Sequence, residues 1–88
     1  MQAPQLDERS RQILDFERTW WRAARPKERA IRDRFGFSAT RYHQLLSTLI
    51  DSVDALAYDP VLVRRLRRLR ESRRRKRFAR RVGLAPEL

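Results

Sequence analysis

The stretch KERAIRDRFGFSATRYHQLLSTLID, residues 27–51, decides the fold of this chain. A single glycine, Gly36, divides it into two pieces with helical periodicity. Before the glycine, Ala30, Ile31 and Phe35 share one face of a short helix, Lys27 to Phe35. After it, Tyr42, Leu45, Leu46, Leu49 and Ile50 make a second helical stripe. Gly36 stands where a helix C-terminus takes a left-handed residue, and Ser38 has the chemistry of an N-cap for a helix from Ala39 to about Asp51. Two short helices joined by a tight glycine-containing turn are the sequence mark of a helix-turn-helix. Counted from Gly36, the apolar residues Ile31, Phe35, Phe37, Tyr42 and Leu45 fall at −5, −1, +1, +6 and +9. That spacing seals the first helix onto the second and turns the buried edge of the second toward a core. One position departs from the usual pattern. Arg32 stands four before the glycine, where many such motifs carry a small residue, with Ala30 nearby to fill the gap. An αα-corner with no role in DNA binding has the same glycine and the same apolar spacing, so the motif alone leaves both readings open.

Working toward the N-terminus, a first helix is expected from about Asp7 to Ala24, with Ile13, Phe16, Trp20 and Ala23 on one stripe and Leu14 and Trp21 widening it. Asp7 and Glu8 in its first turn and Arg22 and Arg25 at its end suit the helix dipole. Trp20 and Trp21 invite a base-stacking role, but neighbours on a helix lie about 100° apart, so one is read as core and the other as its margin. Residues 1–6 read as a frayed end, and Pro26 suits the first turn of the next helix. Working toward the C-terminus, Asp54–Tyr58 gives one more turn, and Asp59 and Pro60 cap and open a last helix whose apolar edge is Val61, Leu62, Leu66 and Leu69. No strand-like alternation and no internal repeat occurs. The expected fold is all-α: a helical helix-turn-helix domain over residues 7–72, followed by a basic tail over 73–88, partly disordered without a partner.

Charge divides the chain as sharply as periodicity does. Residues 1–60 carry ten Lys+Arg and nine Asp+Glu, a net of +1, whereas residues 61–88 carry twelve basic residues and two acids, a net of +10. Such asymmetry points to a polyanionic partner. Other classes are excluded or disfavoured. With no cysteine and one histidine, disulfide frameworks, thiolate sites and imidazole clusters are out. A spacious substrate pocket would consume the core of an 88-residue chain, and Asp51, Asp54 and Asp59 read as helix-end and loop acids rather than a catalytic set. The expectation is therefore no enzyme and no cofactor. The longest uncharged run, Tyr42–Ile50, is far short of the ~20 apolar residues a membrane span needs. The N-terminus MQAPQLDERSRQ lacks the apolar region of a signal peptide, so a cytoplasmic location is expected.

The candidate contacts follow from these two features. On the third helix, Ser38, Thr40, Arg41, His43, Gln44 and Ser47 are expected outward, where Arg can pair with guanine edges, Gln with adenine, and Ser or Thr with either. From Arg64 to Arg81, twelve of eighteen residues are basic and eleven of those are Arg, whose planar fork suits phosphate. The phosphate contacts are assigned to Arg64, Arg65, Arg67, Arg68, Arg73, Arg74, Arg75, Lys76, Arg77, Arg80 and Arg81. Phe78 and Val82, four apart, could form a docking edge or minor-groove wedges.

The blocks ILDFERTWW (13–21), KERAIRDRFGFSATRYHQLLSTLID (27–51) and ALAYDPVLVRRLRRLRESRRRKR (55–77) resemble a family of small basic actinobacterial proteins long catalogued as a domain of unknown function. The resemblance covers about Ile13 to Val82 and is most distinctive at FERTWW and FGFSATRYHQLL. It implies a helix-turn-helix protein of an actinobacterial cytoplasm, with nucleoid association and gene regulation as the associated roles. It supplies no map of binding residues, so the contacts above rest on spacing alone.

The sequence thus leads to a double-stranded-DNA-binding protein of nucleoid-associated or transcription-regulatory type, reading the major groove with helix 39–51 and gripping phosphates with 64–81. A second reading is an interaction module for RNA polymerase or another regulator, with the tail adding general DNA affinity. RNA binding is a third, because Arg-rich segments also fold on RNA. A homodimer is left open, with Trp21 or the Val61–Leu69 edge as its surface.

Overall fold

The structure, a computed structural model, describes residues 5–83. Among them there are five α-helices and no strand: α1 (Glu8–Thr19), α2 (Lys27–Phe35), α3 (Ala39–Leu49), α4 (Val53–Tyr58) and α5 (Pro60–Arg81), with a short 3₁₀ turn at Trp20–Arg22. The all-α expectation holds. Local chemistry sets most of the boundaries. Asp7 accepts a hydrogen bond from the Ser10 amide at 2.8 Å, Ser38 from the Arg41 amide at 3.1 Å, and Asp59 from the Leu62 amide at 3.3 Å. Each satisfies a donor that the first turn of a helix leaves orphaned. Ser52 does the same for α4, accepting from the Asp54 and Ala55 amides. Gly36 ends α2 at φ 76°, and a Cβ there would meet nothing within 4 Å, so what it requires is the left-handed backbone rather than space.

The core draws on every helix: Ile13 and Leu14 from α1, Ala30 and Ile31 from α2, Tyr42 and Leu46 from α3, Ile50 just beyond it, Ala55 from α4, and Leu62, Val63 and Leu66 from α5. Phe16, Phe35 and Phe37 lie half-buried around Tyr42, with ring centroids 5.5–5.9 Å apart along the cluster. The α2–turn–α3 segment therefore buries the residues that its spacing selects, with Ala30 inside and Arg32 outside. Among the described residues no helix is long and apolar enough to cross a membrane.

Several expectations need correcting. α1 stops at Thr19, and the chain turns through Trp20–Arg22, because the next segment has to reach Pro26 and start α2 at Lys27. Neither tryptophan enters the core: Trp20 is half-buried and Trp21 is 61% exposed. Val61, expected on the apolar edge of α5, is 76% exposed, since Leu62 and Val63 take the inward positions. Of the expected frayed end, residues 1–4 lie outside the described residues, while Leu6 packs against the core and its carbonyl accepts from Arg11 at 3.0 Å. α5 runs through residue 73 as one helix, and residues 84–88 of the tail lie outside the described residues. What changes along α5 is its packing. Leu66 is its last buried residue, and beyond it the helix projects, giving the described residues extents of 44 × 35 × 21 Å.

Candidate nucleic-acid interface

The position of α3 is fixed from below by a buried polar contact. Glu17 on α1 is only 4% exposed, yet its carboxylate is fully engaged. It accepts from the Tyr42 hydroxyl at 2.5 Å and lies 3.0 Å from the Lys27 ammonium. A buried charge is tolerable only when paired and hydrogen-bonded in this way. Burial first, and then the neighbouring Glu17 charge, push the Tyr42 phenol far above its ordinary range, so it stays a donor. The contact joins α1, α2 and α3, and so sets the height and rotation of α3.

The far end of α3 is held by α5. The Arg67 Nε donates to the Ile50 carbonyl at 2.5 Å. Arg70 donates to the Ser47 carbonyl at 2.9 Å, to its hydroxyl at 3.1 Å and to both oxygens of Asp51, at 2.6 and 3.2 Å. Two guanidinium groups thus cover the carbonyl end of α3, where a helix carries partial negative charge. The Arg70 contact holds the Asp51 carboxyl below its usual range.

These contacts sort the expected site residues. Thr40, Arg41 and Gln44 are exposed on the outer face of α3, and Ser38 caps its start. Ser47 turns the other way, against α5, because 47 lies on the same flank as the buried Leu46 and Ile50. His43 is exposed at the margin between the outer face and α5, its ring edge-on to Tyr42 at 5.5 Å. Partial burial, followed by the nearby Lys27 and Arg73 charges, lowers its pKa below the ordinary 6.5, so at pH 7 it is a neutral donor and acceptor. On α5, Arg64, Arg65, Arg68, Arg73, Arg74, Arg75, Lys76, Arg77, Arg80 and Arg81 are all exposed. Arg67 is not, its Nε being committed to Ile50, so it is a clamp rather than a free phosphate contact. Arg74 has a 4.0 Å approach to Glu71, and no other ion pair engages an exposed base of α5 among the described residues.

Two features escaped the sequence reading although a signal for each was present. Glu17 falls between Leu14 and Trp21 on the apolar stripe of α1, a position that predicts a buried carboxylate needing partners. Arg70 falls four residues after Leu66 and eight after Leu62, on the face of α5 that meets the core. The same face continues at helical steps through Arg73 and Arg77. It overlooks a groove of about 490 Å³ between α5, α3 and the Trp20–Trp21 turn.

Fold and surface together define a small all-α protein with a polar outer helix and a projecting arginine helix. The chain belongs to the family described as Protein of unknown function (DUF3263), whose model matches residues 5–78. No curated protein matches the chain, and no solved structure does.

Proposed function

We propose that this protein binds double-stranded DNA, with α3 facing the major groove through Arg41, Gln44 and Thr40, and α5 gripping phosphates alongside. One observation carries the reading: α5 exposes ten basic residues along its length and is clamped to the carbonyl end of α3, whose exposed face carries Thr40, Arg41 and Gln44. Phosphate contacts position and base contacts specify, so a surface weighted this heavily toward arginine favours binding to many sequences with mild preference. The associated roles, nucleoid association or transcriptional regulation in an actinobacterial cytoplasm, belong to the same proposal, which is for a binding protein and not an enzyme. The test is fluorescence anisotropy of a labelled mixed-sequence duplex over a salt series, with an RNA duplex of equal length as competitor. With about six phosphates neutralised, log K should fall against log salt with a slope near −5, and RNA should compete poorly. Equal competition by RNA, or a flat salt dependence, sinks the proposal. The second reading, a module that docks on RNA polymerase or a regulator, is favoured by exposed Trp21, whose ring is held in place by an indole N–H bond to the Arg18 carbonyl at 3.0 Å. A nuclease-resistant partner lost on Trp21→Ala would favour it.

A further inference from the structure

The groove between α5, α3 and the Trp20–Trp21 turn lies on the side of α3 away from Arg41 and Gln44, and the DNA contacts proposed above make no use of its apolar lining. Its volume of about 490 Å³ falls within the ~300–1,000 Å³ of small-molecule sites. Its lining combines two chemistries. Trp20, Trp21, Leu66 and Leu69 supply aromatic and aliphatic surface, and Arg73 and Arg77 stand over it. Arg70, between them and the core, is occupied by Asp51, and the carboxylate of Glu17 by Tyr42 and Lys27. Arg73 and Arg77 make no ion pair among the described residues. The groove therefore offers guanidinium groups without an anion, Arg73 and Arg77 with Arg65 also in the lining, beside an apolar wall that water solvates poorly. A guanidinium beside apolar surface binds a carboxylate or phosphate more strongly than one in open water.

We propose that this groove is a binding site for a small amphiphilic anion, a single carboxylate or phosphate head on an apolar body. The head would sit on Arg73 and Arg77, and the body would lie against Trp21, Leu66 and Leu69. A bare anion leaves the apolar wall unused, and a nucleic-acid backbone gains nothing from the leucines. The site does not rest on the DNA reading, because ligand binding can be read without DNA.

Trp20 and Trp21 are the two tryptophans of the chain, so intrinsic emission reports on the groove directly. The experiment is a titration of the full chain with decanoate at fixed ionic strength, followed by tryptophan emission, with stoichiometry from calorimetry. Acetate and decanol serve as head-only and body-only controls. A saturable blue shift at one ligand per chain is expected. The double variant R73Q/R77Q should bind decanoate about tenfold or more weakly, the loss expected for charge-assisted hydrogen bonds. R68Q/R75Q removes the same charge from the opposite face of α5 and should leave binding unchanged. All four side chains are exposed, and matching far-UV circular dichroism will verify that both variants fold. Equal weakening in the two variants reduces the effect to the general positive field and overturns the site. So does an equal response to acetate or to decanol. Saturation by an acidic peptide but not by decanoate also overturns it, in favour of a protein partner.

Discussion

The two halves of α5 are one helix held by different physics. From Pro60 to Leu69 it is anchored, with Asp59 as cap and Leu62, Val63 and Leu66 in the core. From Arg70 onward the same inward face carries Arg70, Arg73 and Arg77, and burial ends. Removing apolar surface from water stabilises the first half by about 25 cal/mol for each Å². Past the Arg70 clamp on Ser47 and Asp51, the second half has helix propensity, the Arg74–Glu71 approach and its continuity with the first half to oppose the mutual repulsion of its charges. Stability and ligand affinity are therefore separated along one element. The first half should respond to mutation through the fold, and the second through the polyanion.

The largest effect should come from the second half. Changing Arg73, Arg74, Arg75, Lys76 and Arg77 together to Gln should weaken duplex binding roughly a thousandfold at low salt and flatten the salt slope by about 4. Thermal stability, followed by circular dichroism, should hardly change. A comparable loss of stability would show that the two halves are not separable. Next comes the first half. Leu66→Ala should cost about 2–5 kcal/mol in denaturant unfolding, whereas Phe78→Ala, at a side chain 61% exposed, should cost under ~0.5 kcal/mol. Similar costs at the two positions would erase the contrast.

Smaller effects sharpen the division of labour between α5 and α3. Arg41→Ala or Gln44→Ala should remove about 1–3 kcal/mol from binding to preferred sequences and little from binding to others. A uniform loss across a panel of duplexes would make α3 another phosphate contact and nothing more. The smallest effect concerns His43, which burial and the Lys27 and Arg73 charges keep neutral at pH 7. Because its folded pKa is lowered, its contribution to stability is complete above its ordinary value and is lost as pH falls through the lowered one. A DNA phosphate beside it would favour the imidazolium, so affinity should rise modestly as pH is lowered from 7, and His43→Gln should abolish the rise. A pH-independent affinity would place the DNA away from the margin between α3 and α5.

The helices themselves were legible because their signals are local. Asp7, Ser38 and Asp59 cap through their own side chains, Gly36 terminates through its own φ, and each can be recognised without its tertiary partners. The candidate contacts were legible only in part. Thr40, Arg41 and Gln44 lie outward by helical angle alone, but Ser47 and Arg67 do not. A residue at the edge of an apolar stripe can face solvent or a neighbouring helix, and the stripe by itself cannot distinguish the two. Trp20 and Trp21 were misplaced for the same reason, because their exposure depends on where α1 ends and how the chain turns toward α2.

The residues alone determined the all-α class, the turn at Gly36, the caps and the division of charge, since each depends on interactions reaching no more than a few positions along the chain. Tertiary structure alone decided which arginines of α5 are free and which are spent on the end of α3. It also brought Glu17, Lys27 and Tyr42 into one buried contact and opened the groove beside Trp20 and Trp21. Those outcomes join groups far apart in the chain, 25 positions in the Tyr42–Glu17 bond and more across the groove, and only the packing of one helix against another sets the distance between them.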